Sequence, residues 1–347
     1  MFNSFRKTLI SWYLDHNRVL PWSKTKDPYS IWLREVILQQ TRVEQGASYY
    51  QKFLNHYPTI IDLANSTLDE VYKDWEGLGY YSRARNLLTT AQIVRDKYNG
   101  VFPVDYLEIL SLKGIGEYTA AAIASFAYDQ PYSVLDGNVF RVLSRFFGIE
   151  HPIDTTIGKK SFKKLAQDCL DINQPAMYNQ AIIDFGAVIC KPKLPLCTNC
   201  PFSSECVAYN EGKISELPVK SKKIIKQNRY FNFLVFSKQN KIYIQQRQEK
   251  DIWQHLFQFP LIESPNQVLT LEDLPDDIID FVPYIRESKM FFQTLTHRKI
   301  HAKFFEVESL DYDAKKDWIL VEIRDLNKYG FPKIIKDYLS EKYNFIY

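Results

Sequence analysis

Ser111-Leu112-Lys113-Gly114-Ile115-Gly116-Glu117-Tyr118-Thr119-Ala120 lies between two stretches of helical apolar spacing, Asp105 to Leu110 and Tyr118 to Tyr128, and reads as a helix-hairpin-helix over about residues 105–128. Two glycines flanking one apolar residue let the chain turn tightly, so that successive N–H groups at the start of the second helix can converge on a phosphate. Such a turn holds a nucleic-acid backbone without reading its sequence. A bare G-x-G is more often an ordinary turn between packed helices, but the Tyr-Thr-Ala and small-residue helix that follow make the signal specific. On both sides of the hairpin the helical period continues, as in Phe2, Phe5, Leu9 and Trp12, or Leu63, Leu68, Val71, Tyr72 and Trp75. Residues 1–212 are therefore expected to form an all-α domain.

Residues 213–229 carry Lys213, Lys220, Lys222, Lys223, Lys226 and Arg229 with Pro218 and little periodicity, which predicts a basic connector. Beyond it, from 230 to 347, period-two runs such as Tyr230 to Phe236, Lys241 to Gln245 and Ala302 to Val307 predict an α+β domain. It also holds an acidic patch, Glu272, Asp273, Asp276, Asp277 and Asp280, and a final helical stretch near Pro332 to Tyr343. Two domains suit 347 residues at roughly 150 per domain. The 46% hydrophobic and 24% charged composition excludes a disordered chain, and no apolar run is long enough to span a bilayer. Charged residues interrupt the N-terminal stretch Met1 to His16, which argues against a secretory signal. A net charge of +3 makes no case for nucleic acid by itself, so any basic face depends on local placement.

Four of the five cysteines, Cys190, Cys197, Cys200 and Cys206, are spaced C-x6-C-x2-C-x5-C, close enough to surround one centre. A chain of this size needs no disulfide staples, so a metal site is the better reading. Thiolate chemistry admits zinc or an iron–sulfur cluster; one tight pair between two wider arms favours [4Fe-4S] over zinc knuckles. Cys169, outside the run, reads as a small buried hydrophobe.

In Ile31-Trp32-Leu33-Arg34-Glu35-Val36-Ile37-Leu38-Gln39-Gln40-Thr41-Arg42, Glu35 shares a helical stripe with Ile31, Trp32 and Leu38. A helical Glu is usually solvated, but this one faces inward, where apolar neighbours would raise its pKa and suit it to donate a proton. In Leu135-Asp136-Gly137-Asn138, Asp136 precedes a new amphipathic helix and is expected to cap it, with the helix N–H groups keeping its carboxylate ionised. A protonated Glu with an ionised Asp is the pairing that cleaves glycosidic bonds through an oxocarbenium-like transition state.

The hairpin, the Leu-Asp-Gly-Asn segment, the LREVILQQTRVE segment and the four-cysteine spacing together resemble the endonuclease III superfamily of DNA glycosylases, and within it the adenine DNA glycosylases of the MutY type. The resemblance implies that Glu35 protonates an extruded adenine, that Asp136 stabilises the cationic sugar with Asn138 supporting it, and that Tyr118 packs at that sugar. Relatives that also cut the strand carry an imine-forming lysine where Tyr118 stands, so a monofunctional enzyme is implied. It further implies double-stranded DNA with A:8-oxoguanine or A:G mispairs as partner, a [4Fe-4S] cofactor, a monomer, and a location in the bacterial cytoplasm at the nucleoid. DNA contacts are expected from Gln40, Thr41, Lys113, Gly114 and Gly116, with Leu78 and Tyr80 as wedges on a glycine-flanked turn.

The C-terminal domain resembles the Nudix-like lesion-recognition domain of the same family, through Gln245-Gln246-Arg247 and Trp253 to Pro260, with Gln254 and His255 where glycines are often seen. It has no Nudix box of metal-binding carboxylates, which excludes a pyrophosphatase. Leu295-Thr296-His297 stands where the family presents Phe-Ser-His to 8-oxoguanine. The alternatives are a pyrimidine-damage glycosylase with lyase activity and a non-catalytic DNA-binding module.

Overall fold

The computed structural model describes residues 2–16, 18–23, 25–221, 225–275, 278, 285–308 and 316–343. The chain divides into two compact units, Met1–Ser66 with Arg85–Lys223, and Thr67–Ala84 with Ile224–Tyr347.

The first unit is helical: α1 (Phe2–His16), α2 (Pro28–Leu38), α3 (Val43–His56) and α4 (Ile60–Asn65) precede the excursion that contains α5 (Leu68–Asp74). The chain re-enters it within α6 (Ser82–Tyr98) and continues through α7 (Tyr106–Ser111), α8 (Glu117–Tyr128), α9 (Gly137–Phe147), α10 (Thr156–Cys169), α11 (Pro175–Val188) and the short α12 (Val207–Asn210). The single pattern from Leu63 to Trp75 is broken into α4 and α5, because Thr59 and Thr67 each begin a capping box, closed by Asp62 and Glu70. Pro28 and the Asp27 side chain start α2, which is buried from Tyr29 to Ile37 and packs on the small residues of α8. Phe5, Leu9 and Trp12 of α1 are buried as their spacing predicts, with Phe5 against Phe146 and Phe202.

Asn179 of α11 is fully buried and accepts from Val134 N at 3.2 Å while donating to Tyr132 O at 2.8 Å and Ser125 Oγ at 2.9 Å. One side chain thus fixes the extended segment that leads into α9.

In the second unit, β1 (Gln227–Lys238), β2 (Lys241–Gln246), β3 (Phe257–Gln258), β4 (Leu261–Ser264), β5 (Ile285–Glu287), β6 (Phe291–Thr294), β7 (Arg298–Glu308) and β8 (Ile319–Glu322) form a mixed sheet. β1 runs parallel to β7 from Gln227↔Arg298 to Ser237↔Glu308, and the other pairings are antiparallel. β1 is buried without a break from Phe231 to Phe236, since both faces are covered over this stretch. Phe231, Phe233 and Val235 meet Ile334, Ile335, Tyr338 and Leu339 of the final helix α13 (Lys333–Tyr343), while Leu234 and Phe236 join Phe305, Val307 and Leu274 in a second cluster.

The basic connector is shorter than its composition suggests. Leu217 is buried, Arg145 Nε donates to its carbonyl at 3.0 Å, and Ile153 N donates to Val219 O at 3.0 Å, so residues up to 221 belong to the first unit. Lys222 and Lys223, and Asp276, Asp277 and Asp280 of the acidic patch, lie outside the described residues.

Replacing Asn179 by Leu removes the partners of a buried backbone N–H and a half-buried carbonyl, the buried one worth about 1–3 kcal/mol. The expected outcome is a urea midpoint lowered by the equivalent of roughly 2 kcal/mol or more, with an unchanged m-value.

Candidate active site

Glu35 on α2, Tyr118 on the first turn of α8 and Asp136 at the start of α9 come together within the first unit. Asp136 is the N-cap of α9: one oxygen accepts from Asn138 N and Val139 N, both at 2.8 Å, and the other from Asn138 Nδ2 at 2.8 Å. Asn138 is itself oriented by Arg141, whose Nη2 donates to Asn138 Oδ1 and to Gly186 O at 2.7 Å each, while its Nε reaches Cys190 O at 2.6 Å. The Tyr118 hydroxyl is hydrogen-bonded to the Glu35 carboxylate; burial, then the charges of Glu35 and Asp136, raise its pKa well above the ordinary phenol range.

One electrostatic expectation changes. Burial raises the pKa of Asp136, assisted by the Glu35 charge, although its N–H donors act in the opposite direction; capping alone does not decide its ionisation. Glu35 is buried, yet not among apolar side chains only. Arg34 donates to its Oε1 from Nε at 2.8 Å and from Nη2 at 2.6 Å, and the Arg34 guanidinium lies 4.9 Å from the Phe126 ring centre. Arg34 also acts on Asp184 of α11, a buried carboxyl raised chiefly by desolvation, whose Oδ2 has no hydrogen-bond partner among the described residues. Arg18 stands 3.9 Å from its other oxygen. Sequence reading missed Arg34, which neighbours Glu35 in the chain, and Arg141, Asn179 and Asp184, which act across long sequence separations.

The hairpin forms as expected, but its glycines differ. Gly114 has φ +77°, and a Cβ there would lie 2.7 Å from Asn86 Cβ. Gly116 caps α8 with an extended φ of −96°, carries no side-chain cap bond, and a Cβ on it would meet nothing within 4 Å. Lys113 is exposed, and Thr90 Oγ1 donates to its carbonyl at 2.7 Å. Past α2, Gln40 is exposed with φ +58°, and Thr41 follows with its hydroxyl on Gln39 O at 3.4 Å.

Within the second unit, the turn after α5 separates its two expected wedges. Tyr80 is 47% exposed with φ +50°, whereas Leu78 is only 7% exposed. Trp75 Nε1 donates to Gly79 O at 2.9 Å and Arg83 to the same carbonyl at 3.2 Å, folding the turn so that Leu78 is buried. Leu295 leans on the sheet core, Thr296 is half-buried with its hydroxyl against that of Tyr80, and His297 is exposed. Of the two positions where the resemblance leads to glycines, Gln254 and His255, His255 adopts a φ of +67°, and the preceding Trp253 adopts +62°.

Cys197, Cys200 and Cys206 are half-buried with raised pKa values, Cys200 at about 11; desolvation is the main cause, and each feels the charge of Cys190. Backbone N–H groups of Phe202 and of Tyr209 and Ala208 bond the sulfurs of Cys200 and Cys206, and Arg145 Nη1 lies 3.5 Å from Cys190 Sγ. Thiols that raise one another's pKa while N–H donors point at them suit a cationic centre that takes thiolates. Among the described residues, no group of three or more His, Cys, Asp or Glu side chains forms a ready site for a metal ion. Cys169 is fully buried, its thiol pushed up to about 12, as a core residue. No helix among the described residues is long and apolar enough to cross a membrane.

Residues 33–168 match the HhH-GPD superfamily of base excision DNA repair proteins, and residues 232–341 match the NUDIX domain. The chain is 33% identical over 351 residues to the adenine DNA glycosylase of Buchnera aphidicola subsp. Schizaphis graminum, covering 97% of this chain and 98% of that one. It is 40% identical over 269 residues to the adenine DNA glycosylase of Buchnera aphidicola subsp. Baizongia pistaciae, covering 77% and 76%. Among solved structures, a thermostable thymine-DNA glycosylase aligns with 60% of this chain and 97% of its own at 30% identity, with a TM-score of 0.57.

Gly114→Ala, which meets Asn86 and needs a positive φ, should lower the melting temperature more than Gly116→Ala, which exchanges only one N-cap residue for a poorer one, and Gly116→Ala should weaken duplex binding in a fluorescence anisotropy titration. Because the folded-state pKa of Asp136 is raised, its ionisation costs stability as pH rises from the ordinary carboxylate range through that raised value. The melting temperature of Asp136→Asn relative to the parent should therefore be higher at pH 7 than at pH 4.

Proposed function

This chain belongs to the adenine DNA glycosylase family and is a DNA N-glycosylase of base excision repair, and we propose that it removes adenine paired with 8-oxoguanine or guanine by hydrolysis, leaving an abasic site. The observation that carries this reading is the convergence of Glu35 and Asp136 on Tyr118, whose hydroxyl is bonded to Glu35 and which feels the charge of both carboxyl groups. An extruded adenine takes a proton from Glu35, which draws the electrons of the N-glycosidic bond into the departing base. Asp136, held by Asn138 and the first turn of α9, faces the positive charge that develops on the sugar, and water adds to that carbon. Extrusion is required because the bond is shielded inside the duplex. Tyr118 offers no amine for an imine, so the reaction ends at the abasic site.

Lys113, Gly114 and Gly116 hold the phosphate backbone, and Gln40, Thr41, Leu78 and Tyr80 face the disrupted pair. Leu78 can do so only by leaving the buried position it takes in the free protein. Leu295, Thr296 and His297 read 8-oxoguanine. Cys190, Cys197, Cys200 and Cys206 would hold a [4Fe-4S] cluster, which would order the loop that carries Lys191 and Lys193. The enzyme acts as a monomer at the bacterial nucleoid.

In single-turnover assays with alkali workup, adenine should be lost opposite 8-oxoguanine and guanine, but not opposite thymine. Glu35→Gln should lower that rate by roughly a hundredfold or more with duplex binding retained. Full activity in Glu35→Gln, or a borohydride-trapped enzyme–DNA adduct, would overturn the mechanism.

A further inference from the structure

Asp251, in the loop between β2 and β3, is a junction for three arginines, two from separate strands and one from its own loop. Arg229 of β1 reaches its Oδ2 at 2.5 Å and Arg247, just after β2, reaches the same oxygen at 3.2 Å. Arg298, the first residue of β7, pairs with Oδ1. Burial opposes the charge on Asp251, but hydrogen bonds from Arg298 and Arg229 outweigh it and hold the carboxyl at about 2. The three cations are not equally dependent on it. Arg229 keeps Glu263, bonded at 2.6 Å to each oxygen, and Arg247 keeps Gln258 at 2.7 Å and Ile252 O at 3.1 Å. Among the described residues Arg298 has no other ion-pair partner, and it is the most exposed of the three.

Arg298 directly follows Leu295-Thr296-His297 and closes that loop, its carbonyl accepting from Leu295 N at 2.8 Å, while Gln227 N holds His297 O at 3.0 Å. We propose that Asp251 is a positioning residue for lesion discrimination, fixing the 295–297 loop through its ion pair with Arg298. The inference rests on the reading of that loop as the 8-oxoguanine contact. Without the carboxylate, three guanidinium groups face one another, and the least anchored turns toward solvent and takes the loop end with it.

The test is the ratio of single-turnover adenine-release rates opposite 8-oxoguanine and opposite guanine, measured on the full chain. Asp251→Asn and Arg298→Gln should each lower that ratio on the order of tenfold, a coupling of the usual allosteric size, and the double variant should lower it no further. The rate opposite guanine should stay unchanged in both, which also reports that they are folded, and Asp251→Glu should restore part of the preference. Thr296→Ala separates the two ideas. If it lowers the ratio while Asp251→Asn does not, the loop reads the lesion and the positioning role is wrong. If neither variant changes the ratio, the loop does not read the lesion and the positioning role falls with it. A uniform loss opposite both bases would make Asp251 merely structural.

Discussion

The carboxylate of Asp136 is the fixed point of the helical unit. A helix start leaves backbone N–H groups without partners, and here one acidic side chain satisfies two of them while keeping an oxygen bonded to the Asn138 amide. What surrounds the cap follows from keeping it in place. Asn179 fixes the segment before it, and Arg141 fixes the orientation of the supporting amide while joining α9 to the Cys190 carbonyl. Gly186 must be small, since a Cβ there would lie 2.6 Å from Asn138 Cβ. Packing and chemistry are therefore served by the same atoms, and a group buried for reactivity is buried at a cost to its charged form.

Buried charge is handled differently at Glu35. Its neighbours on α2 are apolar, but an adjacent guanidinium accompanies it, and that guanidinium also acts on Asp184 and lies near the Phe126 ring. A lone carboxylate among Ile31, Trp32 and Val36 would bear the full desolvation penalty, whereas a paired one keeps a defined orientation toward the Tyr118 hydroxyl.

The second unit applies the same rule on a sheet. Its middle strands are covered on both faces, so polar side chains there must pair, and Asn232, fully buried in β1, donates to Ile262 O and Ser264 Oγ and accepts from Leu269 N. At the strand ends the arginines gather on Asp251, where the chain emerges into its loops. Trp253 and His255 adopt left-handed backbone in that loop despite their side chains, a conformation that glycine would take without steric cost.

Features built from neighbours in the chain could be read from the amino acids alone. The hairpin, the cap at Asp136, the four-cysteine spacing, the helical and alternating periods and the change between them across residues 213–229 are all local patterns, because helix, strand and turn preferences act over a few residues. Local composition failed where a long-range contact intervened: a lysine-rich stretch folded back through Leu217, and a glycine-flanked leucine turned inward at residue 78. Arg141, Asn179, Asp184 and the arginines that reach Asp251 from β1 and β7 matter through the company they keep. Arg141 lies 49 residues from Cys190 and Asp251 lies 47 from Arg298. Only the folded chain decides such pairings, since burial sets the cost of a charge and the tertiary structure alone determines which distant group is present to meet it.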